Sequence, residues 1–225
     1  MLIILPMKSI RSDAGFYSSK SILVALTVFV VAVASSTLEA DKRGEQLYRN
    51  CTICHGPDGQ GIPLQLAPAL TALSEKYIVE QLKKYKAGIR GAHAEDTAGL
   101  RMLPMAQTMI TEDDMQAVAS YIVSLGSSPV EPTLEGGDPV KGQATYATCL
   151  ACHGPDGRGN DLLNAPSLVN QHDWYHLAQL KKFKSGVRGS NPQDITGAQM
   201  RPMSMLLADE QMMKDVIAYI KTLGK

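Results

Sequence analysis

The sequence predicts an all-α protein built from one small helical unit used twice. Three observations carry this. Shifted by 98 positions, the chain matches itself at 35 of the 84 positions from 43 to 126, with no gap. Within each copy apolar residues recur at helical intervals, and no stretch alternates as a strand would. Each copy also holds one Cys-x-x-Cys-His, set among long Gly- and Pro-rich loops that need something to wrap around in so small a unit. A fixed offset over that length means two copies of one fold.

The elements follow in order. A first helix is expected over about 41–51 and again over 139–149. A second spans 74–87, with Gly88 as its stop, and its counterpart spans 172–185, stopped by Gly186. Thr111 followed by Glu112, Asp113 and Asp114 reads as a capped start whose acids suit the helix dipole. That last helix ends near Gly126, and its counterpart runs from Asp209 to Gly224. Residues 56–68 and 88–104 read as loops. The join, SSPVEPTLEGGDP, is rich in Pro, Gly and acid and reads as an exposed linker. The expected organisation is 1–40 exported leader or anchor, 41–126 first domain, 127–138 linker and 139–225 second domain.

Lys8, Arg11 and Lys20 precede an uncharged run of 13 residues, 22–34, followed by small residues. That is the layout of a secretory signal peptide. The run is short for a membrane span, which needs roughly 20 apolar residues. If left uncleaved, it would associate the protein with the membrane through its N-terminus. Either way the working part of the protein is expected outside the cytoplasm. The 22 basic and 22 acidic residues cancel, which argues against nucleic acid as a partner. The charge is uneven: residues 141–225 carry 10 bases and 7 acids, while residues 41–126 carry 9 and 10. Such asymmetry orients a docking partner without strong global attraction.

All four cysteines lie in the two repeated motifs, Cys51, Cys54 and His55, then Cys149, Cys152 and His153. Two thiols three positions apart can add to the two vinyl groups on one porphyrin edge, and the adjacent His can then bind the iron. The expected cofactors are therefore two covalently attached haem c groups. Disulfides would not need a His after each second Cys. A four-thiolate zinc site would join pairs about a hundred residues apart, far from the usual spacing of ~15–20. A thiol redox pair would need a βαβ pattern that is absent.

The opposite face of each iron needs a second ligand, and the segment before the last helix offers Met-x-Pro-Met in both copies. A thioether is a soft ligand that raises the reduction potential. Met102 and Met200 are the first choice, with Met105 and Met203 as alternates of the same spacing. His93, His172 and His176 have no His counterpart in the other copy and read as surface residues. Lys83, Lys84 and Lys86, with Lys181, Lys182 and Lys184, read as the solvated face of an amphipathic helix. Arg90 and Arg188 are expected either to pair with a haem propionate or to lie on a loop surface.

Taken together, CxxCH, Gly-Pro-Asp-Gly, a Tyr…Gln-Leu-Lys segment running into Gly-x-Arg-Gly, and a Met pair before a last helix bearing Tyr121 or Tyr219 resemble class I cytochrome c. The tandem resembles the dihaem cytochrome c4 type, over residues 41–225. The resemblance implies two all-α class I cytochrome c domains, each wrapped around a covalently bound haem, with the first Met of each pair as ligand. The stretch from that Met to the last helix is a residue longer than the family pattern, so the alternates stay open. It implies a one-electron carrier in a respiratory chain and not an enzyme. The donor would be a quinol-oxidising complex or a dehydrogenase, and the acceptor a terminal oxidase or reductase. The second reading is a dihaem electron-accepting subunit of a dehydrogenase, such as a sulfide-oxidising flavoprotein. A dihaem peroxidase would need one exchangeable ligand, against the symmetry of the copies.

Overall fold

The computed structural model describes residues 42–224. The expected leader, residues 1–40, lies outside them. Among the described residues no helix is long and apolar enough to cross a membrane. The described chain is helical, with only two isolated bridges, Ile62 to Ala67 and Asn160 to Ala165. In order it forms α1 (42–48), α2 (Thr52–His55), α3 (Glu75–Lys86), α4 (Thr97–Gln107), α5 (Glu112–Ser124), α6 (Pro139–Tyr146), α7 (Leu150–His153), α8 (Asp173–Ser185), α9 (Ile195–Met205) and α10 (Glu210–Leu223).

Local chemistry sets the helix starts. Ser74 accepts from the Tyr77 N–H at the head of α3. Thr111 and Asp114 form a reciprocal capping box at α5. Asp138 and Asp209 cap α6 and α10. Each cap contributes about 1 kcal/mol. Gly186 takes the left-handed conformation, φ 82°, that ends α8 without a side-chain clash.

In each half the first and last helices cross at a glycine. A Cβ on Gly44 would stand 2.3 Å from the Ala117 carbonyl oxygen, and one on Gly142 would stand 1.9 Å from that of Asp215. The backbones touch, and a tyrosine pair closes over each crossing. Tyr48 packs on Tyr121 with ring centroids 5.5 Å apart, and Tyr146 on Tyr219 at 5.3 Å. Around these crossings lie two separate cores. One gathers Leu47, Ile78, Met109, Val118 and Ile122, and the other Leu177, Leu207, Val216, Ile217 and Ile220.

Two expectations change. Residues 97–104 are not loop: α4 and α9 occupy that stretch and the corresponding one, so the Met-x-Pro-Met segments are helical. Pro104 and Pro202 lie inside these helices, each forfeiting one helical hydrogen bond. The starts come instead from Asp96 and Asp194, whose carboxylates accept from the N–H groups of Gly99 and Gly197. The linker has no regular secondary structure but is fastened. Asp173 accepts from the backbone N–H of Thr133 and Leu134, and Lys221 donates to the Val130 carbonyl.

Candidate haem sites

Each Cys-x-x-Cys-His forms a single helical turn. The His55 N–H bonds the Cys51 carbonyl at 2.8 Å, and the His153 N–H bonds that of Cys149 at 2.9 Å. Positions i, i+3 and i+4 then share one face, which brings Cys51, Cys54 and His55 together, and likewise Cys149, Cys152 and His153. Gly56 and Gly154 end the turns at φ 78° and 79°, a region where glycine is favoured. Tyr48 and Tyr146 donate to the carbonyls of those glycines, both at 2.7 Å.

Both histidines are buried, and each is held through one ring nitrogen. His55 Nδ1 lies 2.9 Å from the Pro68 carbonyl, and His153 Nδ1 lies 2.8 Å from that of Pro166. A carbonyl only accepts, so Nδ1 carries the proton and Nε2 keeps its lone pair for a metal. Burial lowers the pKa of both imidazoles, against a smaller upward pull from the carbonyl bond, so both favour the neutral, ligating form.

The four thiols are unbridged. Burial, and then the neighbouring Cys54, push the Cys51 thiol up to about 11. A thiol redox pair works through a lowered pKa, so this site is unsuited to that chemistry. Among the described residues no three His, Cys, Asp or Glu side chains gather as a metal site.

The candidate methionines lie one turn apart on α4 and α9. Met102, Met105 and Met200 are half-buried, whereas Met203 is 38% exposed.

The surroundings were less legible in sequence. Lys84 is buried, not solvated, and bonds Asp194 of the other half; Lys182 bonds Asp96. Lys86 and Lys184 close on the carbonyls of Met109 and Leu207. His172 and His176 are buried, not surface: their Nε2 atoms lie against the Gln60 and Leu168 carbonyls, at 3.0 and 2.8 Å. His93 alone of the three is exposed.

Arg90 and Arg188 are also buried, not on a loop surface. Arg90 donates to Gln81 at 2.7 Å and to Tyr175 of the other half at 3.0 Å. Arg188 mirrors it, with Gln179 at 2.8 Å and Tyr77 at 3.1 Å. The oxygens they reach are neutral, and each Nε is buried without a partner among the described residues. A buried cation needs an anion. The carboxylates of a haem would supply one, and the neutral, aimed imidazoles and clustered thiols suit its iron and vinyl groups. The residues fit haem.

The cytochrome c family model matches residues 42–126 and again 139–224. A cytochrome c4 of Stutzerimonas stutzeri is 32% identical over 180 residues, covering 75% of this chain and 82% of that one. A thiosulfate dehydrogenase electron acceptor of Stutzerimonas stutzeri (strain A1501) is 28% identical over 164 residues, covering 68% and 72%. The crystal structure of reduced recombinant cytochrome c4 from Pseudomonas stutzeri superposes with a TM-score of 0.61 at 26% identity, covering 80% of this chain and 96% of that one. With its family model matched twice and its fold shared with a solved cytochrome c4, the chain belongs to the cytochrome c family, as a tandem electron carrier of the cytochrome c4 type with two covalently bound haem c groups.

Proposed function

We propose that the protein is a periplasmic carrier of a respiratory chain, moving one electron per haem between protein partners, with the same ligand set in both halves. In this reading Cys51 and Cys54 hold the first haem by thioether bonds, and Cys149 and Cys152 hold the second. His55 and Met102 would ligate one iron, and His153 and Met200 the other. The observation that carries the reading is the matched geometry of the two Cys-His turns, down to the Tyr-to-Gly and His-to-Pro carbonyl bonds.

The bound haem supplies an iron that changes oxidation state by one electron. The chain does the rest. The Pro68 and Pro166 carbonyls hold the Nδ1–H of each imidazole and leave Nε2 available to a metal. Burial keeps those rings neutral. With Met and His both bound, the Met thioether would favour the reduced iron and no position would be left for substrate. The greater burial of Met200 over Met203 supports Met200 as ligand, and the same register supports Met102. Export is supported by the charged, then apolar, character of residues 1–40.

The donor in this reading is a quinol-oxidising complex or dehydrogenase, and the acceptor a terminal oxidase or reductase. A relative named as a thiosulfate dehydrogenase electron acceptor favours a second reading, service to one dedicated dehydrogenase. The test is an optical redox titration of haem-loaded protein made in a periplasm. Two high-potential, low-spin haems that ignore carbon monoxide when reduced are expected. A high-spin haem that binds carbon monoxide would overturn the carrier reading in favour of gas binding or peroxidase chemistry. Copurification of a dehydrogenase from the native cell would select the second reading.

A further inference from the structure

The two Met-bearing helices begin in the same way, and each beginning is gripped by the opposite domain. At the head of α4, Asp96 accepts from the Gly99 N–H at 2.9 Å; at the head of α9, Asp194 accepts from the Gly197 N–H at 3.1 Å. These caps are packed solid. Asp96 is 3% exposed and Asp194 1%. A Cβ on Gly99 would stand 2.3 Å from the Asp96 carboxylate, and one on Gly197 would stand 2.0 Å from that of Asp194. The oxygen that caps each helix also receives a lysine from the other half. Lys84 of α3 reaches Asp194 at 2.6 Å and the Thr196 hydroxyl at 2.5 Å. Lys182 of α8 reaches Asp96 at 2.5 Å. Position 98, which corresponds to Thr196, is alanine, so the brace on α4 lacks that second contact.

We infer that Lys84 and Lys182 are positioning residues that act in trans: each domain holds the iron-ligating methionine of the other in place. Met102 and Met200 each lie six residues past the braced Asp, and one turn past the glycine whose N–H it holds, at i+3 from Gly99 and Gly197. A loosened cap frees the first turns of the helix, and with them the thioether. The inference rests on the His/Met reading. A surface lysine pair that merely glued the domains together would disturb both haems alike. This brace predicts a crossed pattern, in which a substitution in one domain weakens the ligand of the other.

The experiment uses the oxidised, haem-loaded full chain. Cyanide displacement of methionine is followed by loss of the methionine-to-iron charge-transfer band. The two phases are assigned with Met102→His and Met200→His, each of which removes one. In Lys84→Met the phase of the second haem should quicken about tenfold, the effect of losing a helix cap, and that of the first should not move. Lys182→Met should quicken the first haem only, and by less, since its brace has one contact. Asp194→Asn keeps a capping oxygen but loses the ion pair, and should quicken the same phase as Lys84→Met even if that variant folds poorly. Uncrossed acceleration, equal acceleration of both phases, or none in Lys84→Met and Asp194→Asn alike would overturn the brace. Absence of the charge-transfer band from the unsubstituted protein would instead overturn the His/Met reading, and the brace with it.

Discussion

At the head of α3 the first domain places Ser74, and its hydroxyl caps the helix. At the same register the second domain places His172, which makes no side-chain cap and instead reaches the Gln60 carbonyl of the first domain. The next positions diverge in the same direction. Glu75 corresponds to Asp173, which is buried and holds the linker; Ile78 corresponds to His176, which is buried against the Leu168 carbonyl. Over the Cys-His turns, by contrast, the two halves agree to about a tenth of an ångström in their key hydrogen bonds. The unit that surrounds the iron was kept twice. The face toward the linker differs, and in the second copy it carries a cluster of buried polar groups. One of those groups crosses to the other half, His172, and beside it Gln171 exchanges two hydrogen bonds with the Ala69 backbone, at 2.7 and 3.1 Å.

The largest expected effect tests the sameness. Replacing both cysteines of one motif, as Cys51→Ser with Cys54→Ser or Cys149→Ser with Cys152→Ser, should halve the haem content per chain in either copy. It is read from the haemochrome absorbance of the denatured protein. Unequal loss would mean that the two sites are not equivalent.

The next tests the difference. Burial lowers the His176 imidazole to about 4, with the Leu168 bond opposing and the charge of Lys221 adding to the drop. The unfolded chain takes up its proton near the ordinary value of 6.5, before the folded one does. Stability is therefore unaffected above that value and falls as pH drops from about 6.5 to 4. The loss is on the order of 3 kcal/mol by pH 4, from one group. His176→Ile, which installs the residue of the first copy, should remove that part of the acid sensitivity. Denaturant midpoints measured at pH 7 and pH 4 decide it; an unchanged difference between them would sink the assignment.

The smallest concerns the linker. Asp173 accepts from Thr133, Leu134 and Trp174, and these bonds outweigh the effect of burial and keep its carboxyl below the ordinary range. Asp173→Ala should cost about 2 kcal/mol by leaving buried donors unsatisfied, and should speed proteolysis within residues 127–138. The matched change Glu75→Ala should stay within about 0.5 kcal/mol. Equal costs would erase the asymmetry.

Much of this was legible in the sequence. The Cys-x-x-Cys-His pair named the cofactor, and the capping Thr111, with the starts set at 74 and 209, placed three helix beginnings within a residue. What failed did so for physical reasons. Helices α4 and α9 were hidden because Gly and Pro read as breakers, while their Asp-x-x-Gly starts were not recognised as caps. Lys84 was read as a solvated side chain because a helical face looks the same whether it meets water or another domain, and its partner lies 110 residues away. A signal was present nonetheless. Tyr77, Gln81, Lys84, Arg90 and Asp96 all recur at the 98-residue offset, and a two-fold contact uses each such position twice.

That two-fold contact has a consequence for how the chain is joined. Arg90 meets Tyr175 and Arg188 meets Tyr77; Lys84 meets Asp194 and Lys182 meets Asp96. In these four pairs each donor on one half finds its acceptor at the equivalent place on the other, which is the form of a homodimer's interface. The linker does not create this association; it removes the dependence on protein concentration. A short tether holds its two ends at an effective concentration in the millimolar range. The pair of haems therefore stays together at any dilution the cell imposes.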